Sequence, residues 1–104
     1  MAEATVDIQR EDDGKKGRFV LRVDGAEAGE MTFHWVDDVR FIIDHTGVDE
    51  AYGGKGYARQ LVNAGVAYAR KHDKKITPHC TYAKRVLESD AQYDDILVRG
   101  NANA

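Results

Sequence analysis

The spacing of apolar residues along this chain changes once, from about two to about three and a half, and that switch limits the folds open to it. Val6 and Ile8 alternate with polar neighbours, and Glu11 to Gly17 is a polar turn. Phe19, Leu21 and Val23 then alternate with Val20 and Arg22, and Asp24-Gly25 supplies the positive φ angles of a tight hairpin. Met31, Phe33 and Trp35 alternate with Thr32, His34 and Val36 on a third strand. After a turn at Asp37-Asp38, Val39 to Ile43 is a nearly unbroken apolar run, the pattern of a strand covered on both faces. Beyond the loop that follows, Ala58, Leu61, Val62, Gly65, Val66 and Ala69 share one face of a helix from Gly56 to His72. Its opposite face carries Arg59, Gln60, Asn63, Arg70 and Lys71, with basic residues in the last turn where the helix dipole favours them.

Lys75-Ile76-Thr77 precedes Pro78, which pushes its neighbour towards extended geometry, so this segment reads as a short strand. A right-handed crossover sets it parallel to the fourth strand. Cys80 to Glu88 reads as a second helix with Tyr82, Val86 and Leu87 inward, and Tyr93, Ile96 and Leu97 close the domain. The predicted fold is α/β of the α+β kind. It has a mixed, mostly antiparallel sheet of about five strands, one long central helix and a short C-terminal helix.

With 104 residues, 42% of them hydrophobic, the chain has material for one core, and residues 1–99 read as a single domain. The tail Gly100 to Ala104 has nothing to bury and is expected to be disordered. One cysteine cannot form an internal disulfide. The start, Met1 to Thr5, lacks a basic and apolar leader, and no apolar run approaches the ~20 residues that cross a bilayer. These features predict a cytoplasmic protein with no membrane partner and Cys80 as a free thiol. Net charge is −3, but Ala51 to Arg85 holds eight Lys or Arg and one acid. That local excess suits an anion, or simply forms a solvated helix face, and the acidic balance elsewhere disfavours nucleic acid. No pair of histidines has the spacing of a metal site, so no metal is expected. His34, His72 and His79 read as surface or packing residues.

The loop Tyr52-Gly53-Gly54-Lys55-Gly56-Tyr57-Ala58 between the fourth strand and the long helix is the most informative stretch. A helix start leaves about four N–H groups without partners and carries partial positive charge, and glycines let an anion approach it closely. Walker A requires Ser or Thr after Gly-Lys, and Lys55 is followed by Gly56. The dinucleotide fingerprint requires Gly or Ala where this chain has Arg59.

His45-Thr46-Gly47-Val48, Gly53 to Val62, Tyr68-Ala69-Arg70 and Pro78-His79-Cys80-Thr81-Tyr82, in that order, resemble the GNAT superfamily of N-acetyltransferases. The likeness spans about Phe19 to Leu97 and is strongest to the very short single-domain branch. It implies acetyl-CoA as co-substrate, with pyrophosphate on the loop Gly53, Gly54, Lys55, Gly56, Tyr57 and Ala58. It also implies that the fourth strand splays from the fifth at Thr46, Gly47 and Val48, whose freed amides bind the pantetheine arm and polarise the thioester. The family's loop opens with Arg or Gln, where this chain has Gly53, so the backbone amides from Gly54 onward carry the contact. The helices that longer relatives place after the first strand, and their two final strands, have no counterpart here, which leaves the acceptor side open.

Transfer to an amine needs a neutral amine, a stabilised oxyanion and a proton for the departing thiolate. A lysine amine with pKa ~10.4 is almost wholly charged at neutral pH, so a base or water relay is required. His45 is the first candidate and Glu50 the second; the plainer reading of His45 is a strand-end histidine bonded to backbone. Cys80, characteristic of the short branch, is read in three ways: covalent acetyl carrier, proton donor to the coenzyme thiolate, or small packing residue. Tyr82 is the alternative donor. Lys84 and Arg85 suit coenzyme phosphates or an ordinary solvated face. The expected function is N-acetyl transfer to a protein lysine, N-terminus or small-molecule amine by direct attack in a ternary complex, by a monomer or weak dimer. The alternative is a module that binds acyl-CoA without turnover.

Overall fold

The two-residue hairpin expected at Asp24-Gly25 forms, with φ of 51° and 88°, and its register pairs Val23 with Ala26. In the computed structural model, which describes residues 4–99, five strands follow one another across one sheet in sequence order. They are β1 (Val6–Asp12), β2 (Lys16–Val23), β3 (Ala26–Trp35), β4 (Arg40–Val48) and β5 (Lys75–Pro78). The first four pair antiparallel, and β5 joins β4 in parallel after the crossover helix α1 (Tyr57–His72). The second helix is α2 (Thr81–Glu88). The expected disordered tail lies outside the described residues.

The apolar stripe of α1 packs on the inward positions of the sheet. Leu61, Val62, Val66 and Ala69 meet Phe19, Leu21, Met31, Phe33, Phe41, Ile43 and Ile76 in one buried cluster. Asp73, at φ 57°, ends the helix in the left-handed cap geometry, its N–H bonded to the Ala69 carbonyl. On α2 the inner residues are Ala83, Val86 and Leu87, with Tyr82 only half-buried, so the inward face is turned one residue from the expected one. Tyr93 and Ile96 are buried as expected, and Leu97 bridges to Ile76 beside β5.

Two expectations need correction. β4 runs from Arg40 to Val48, past the apolar run, and Val39 is half exposed in the turn before it. A 3-10 turn at Glu50–Tyr52 also stands between β4 and the glycine loop. Both helices join the cluster on one side of the sheet, yet Val20 and Ile42 are buried on the other. Arginines share that side by strand alternation: Arg18 and Arg22 flank Val20, and Arg40 lies two places before Ile42. Arg18 bonds Glu11, Glu27 and Glu30 at 2.9 to 3.1 Å, and Arg40 Nη1 donates to the buried Thr77 Oγ1 at 2.8 Å.

Leu61 is fully buried against the sheet, whereas Gln60 beside it is exposed. Leu61→Ala is expected to cost about 3 kcal/mol in urea unfolding, and Gln60→Ala less than about 0.5 kcal/mol.

Candidate functional site

Where β4 and β5 part company, the backbone changes partners. The parallel ladder pairs Arg40 to Ile43 with Lys75 to Pro78 and then stops. Pro78 has no N–H to extend it, and the next two N–H groups, of His79 and Cys80, both donate to the Ile43 carbonyl at 2.9 and 3.0 Å. β4 continues to Val48 with β3 beside it, so the other edge of Thr46, Gly47 and Val48 has no strand partner.

The start of α1 is similarly unfilled. Its first helical bond runs from the Gln60 N–H to the Gly56 carbonyl, 3.1 Å. Among the described residues the N–H groups of Tyr57, Ala58 and Arg59 find no acceptor, and no side chain caps the helix. Gly54 and Gly56 hold φ of 77° and 80°, a region that disfavours any side chain, and a Cβ on either would meet nothing within 4 Å. The loop is bare backbone with open space above it. Gly53 is different: φ is −68°, and a Cβ there would touch only the Glu50 carbonyl at an ordinary 3.4 Å. These residues fit a diphosphate, since donors, positive helix end and access coincide.

Part of the basic excess proves structural. Arg70 pairs with Asp95 at 3.0 Å, and Lys74 and Lys75 donate to the carbonyls of Asp38 and Asp95. Lys55, in the loop, and Lys84, on α2, are exposed and make no ion pair among the described residues. They remain available to an anion.

Cys80 is the N-cap of α2, half-buried, and its Sγ donates to Thr46 Oγ1 at 3.6 Å. Burial pushes its thiol pKa up. The Ala83 backbone, the Thr46 hydroxyl and the backbones of Tyr82 and Thr46 more than offset that, so the thiol lies below its ordinary value. Tyr82 sits half-buried in the first turn of α2.

His45 lies elsewhere. Opposite Thr32 and Phe33 the β3–β4 register skips Asp44, a bulge that leaves Asp44 and His45 successive on the side away from the helices. Asp44 Oδ2 accepts from His34 Nδ1 across that face at 2.8 Å. His45 is exposed, makes no hydrogen bond among the described residues, and lays its ring along Gly47, where a Cβ would come within 2.8 Å of Nε2. It opens on a cavity of about 300 Å³, lined also by Glu27, Glu30 and Asp49. Glu50, in the 3-10 turn, is exposed and does not line this cavity. The structure thus joins Thr46 to Cys80 and separates both from His45. The acidic lining and the Thr46 side chain went unread in the sequence, because nothing in the residue pattern announces a bulge. Among the described residues no group of His, Cys, Asp and Glu is arranged to hold a metal, and no helix is long and apolar enough to cross a membrane.

Residues 18–96 match the family model for the GCN5-related N-acetyltransferases. Protein NATD1 of Gallus gallus is 27% identical over 84 residues, 80% of this chain and 76% of that protein. A GCN5-like protein from Staphylococcus aureus superposes with a TM-score of 0.69 at 30% identity, covering 92% of this chain and 91% of its own. A GNAT acetyltransferase from Elizabethkingia anophelis, solved with acetyl-CoA bound, shares the fold at a TM-score of 0.59 and 13% identity, over 68% of this chain and 62% of its own.

A lowered thiol pKa means a larger thiolate fraction at any pH below the ordinary thiol value. Alkylation of Cys80 by iodoacetamide is expected to reach half its limiting rate at a lower pH in the folded protein than in the urea-unfolded chain.

Proposed function

The chain belongs to the GCN5-related N-acetyltransferase family, acetyl-CoA-dependent acyltransferases, and on that premise we propose that it transfers acetyl to a primary amine by direct attack within a ternary complex. The observation that carries the proposal is the meeting, at one end of the sheet, of three unpartnered helix N–H groups with the unpartnered edge of β4. The helix end and the amides of Gly54 to Ala58 would receive the pyrophosphate, with Lys55 and Lys84 within its field. Thr46 to Val48 would receive the pantetheine arm and polarise the thioester carbonyl. Donors preorganised in this way are worth roughly 3 kcal/mol each in acyl transfer.

Bound acetyl-CoA supplies the activated acyl carbon; the chain supplies the proton movements. His45, on the cavity side, takes the proton of the attacking amine, with Glu50 as the second candidate. Cys80, on the helix side, gives its thiol proton to the departing coenzyme thiolate. The Thr46 hydroxyl and the backbone groups that hold its thiol below the ordinary value also stabilise the thiolate that this transfer leaves behind. Tyr82, in the same turn, is the alternative donor. The acceptor is a protein lysine, an N-terminus or a small-molecule amine. Action in the cytoplasm, where Cys80 stays a reduced thiol, is part of the same reading.

Labelled acetyl-CoA incubated with a mixed amine library tests the reaction, and label that never leaves the coenzyme sinks it. Gly53→Arg restores the usual family residue without backbone strain and is expected to tighten coenzyme A binding about fivefold by calorimetry. Gly56→Val should abolish that binding, since the left-handed φ and the open approach are both lost. Cys80→Ala should lower kcat about a hundredfold. Acid-quenched mass spectrometry should find no acetyl adduct on the wild-type cysteine if attack is direct.

A further inference from the structure

The β4 bulge does more than turn His45 outward. Ile43 points into the core, Asp44 and His45 both point away, and the alternation restarts with Thr46 on the helix side. In a regular strand Thr46 would face the opposite way. Its hydroxyl instead meets Cys80 Sγ at 3.6 Å, and among the described residues Oγ1 makes no other hydrogen bond. The cysteine is brought there independently, by the N–H groups of His79 and Cys80 closing on the Ile43 carbonyl. Two backbone devices, one on each strand, thus converge on one side-chain contact at the point where the strands separate.

We propose that Thr46 is a positioning residue for Cys80, its hydroxyl holding Sγ at the gap between β4 and β5. The proposal rests on the reading of Cys80 as the proton donor to the coenzyme thiolate. A threonine hydroxyl is both donor and acceptor. It accepts from Sγ while the cysteine is a thiol. After the thiol proton passes to the coenzyme sulfur, it rotates to donate to the thiolate left behind. The proton that His45 takes from the neutral amine leaves to solvent and Cys80 regains one from solvent, so from the neutral amine onward no proton is gained or lost over the cycle. Valine at the same place keeps the shape and the β-branch and removes both functions. Serine keeps the hydroxyl.

Besides Cys80, the titratable and charged groups on the elements meeting here are Arg40, Asp44 and His45 of β4, Lys75 of β5, His79 after it, and Tyr82, Lys84, Arg85 and Glu88 of α2. Asp44 is engaged by His34, and His45 lies on the far face. His79, Lys84 and Arg85 are exposed. Burial raises the thiol's pKa, and uncharged hydrogen-bonding groups, the Ala83 backbone and the Thr46 hydroxyl foremost, lower it.

The test uses the full chain with Thr46→Val and Thr46→Ser. Iodoacetamide alkylation of Cys80 is followed against pH without acetyl-CoA, and kcat and KM for acetyl-CoA are measured separately. The expected result is that Thr46→Val moves the alkylation midpoint to higher pH and slows the reaction at neutral pH about fivefold. It should lower kcat by a similar factor with little change in KM, and Thr46→Ser should restore both readouts to within about twofold. Alkylation unchanged in Thr46→Val overturns the proposal. So does Thr46→Ser behaving like Thr46→Val, which would reduce the residue to packing. Altered alkylation with unaltered transfer upholds the contact while overturning the donor role of Cys80, so the two failures are told apart.

Discussion

The Ile43 carbonyl is the hinge of this site. By accepting two successive N–H groups, from His79 and Cys80, it ends the parallel ladder in the middle of β4. Five residues of β4, Asp44 to Val48, then continue with a partner on one edge only. Unpaired backbone groups are costly when buried and useful when a ligand can meet them. The same carbonyl ties down the chain just before α2, which is why Cys80 caps that helix beside the opened edge rather than somewhere along its flank. The start of α1 belongs to the same end of the sheet by topology, because a crossover from β4 to a parallel β5 must begin at the C-terminal end of β4. An opened strand, a bare helix start and a thiol are therefore consequences of one connection.

The bulge at Asp44 divides the chemistry between the two sides of the sheet. Thr46 and Cys80 meet on the side that carries the helices, where half-burial and backbone donors govern the thiol. His45 lies on the other side, over an open cavity with Glu27, Glu30 and Asp49. Acid and base in an acyl transfer act on opposite ends of the tetrahedral centre, one at the leaving sulfur and one at the incoming nitrogen. The strand passes between the two candidate groups. Among the described residues the outer side carries no helix, and Arg18, Arg22 and Arg40 share it with the buried Val20 and Ile42. That economy suits a chain of 104 residues and leaves the cavity accessible from solvent.

Much of the fold was legible because its determinants are local. Asp24-Gly25 can take the two left-handed conformations of a tight hairpin, and the register from Val23 to Ala26 follows. The stripe from Ala58 to Ala69 has one period and one apolar face, so α1 was bounded to within a residue. The glycine loop was legible for a related reason: Gly54 and Gly56 stand where backbone turns left-handed, and few other residues tolerate that. The inward face of α2 was missed by one position, since eight residues give too little periodicity to choose between Tyr82 and Ala83. Periodicity alone would end β4 at Ile43, because Asp44, His45, Thr46 and Gly47 lack strand alternation; only the family resemblance carries the strand on to Thr46–Val48. Pairing with β3 decides it, and that partner lies well over ten residues away in sequence.

By itself the sequence determined the order and kind of the elements, the family, and a loop able to approach an anion, because each follows from conformations of neighbouring residues. Tertiary structure alone decided which way His45 and Thr46 face, which lysines remain unspent, and that a threonine hydroxyl reaches the thiol 34 positions away. Side-chain direction in a strand depends on counting by twos, and one unpaired residue reverses the count for everything after it. Where that residue falls is set by how two strands register against each other, a property that no local stretch of chain contains.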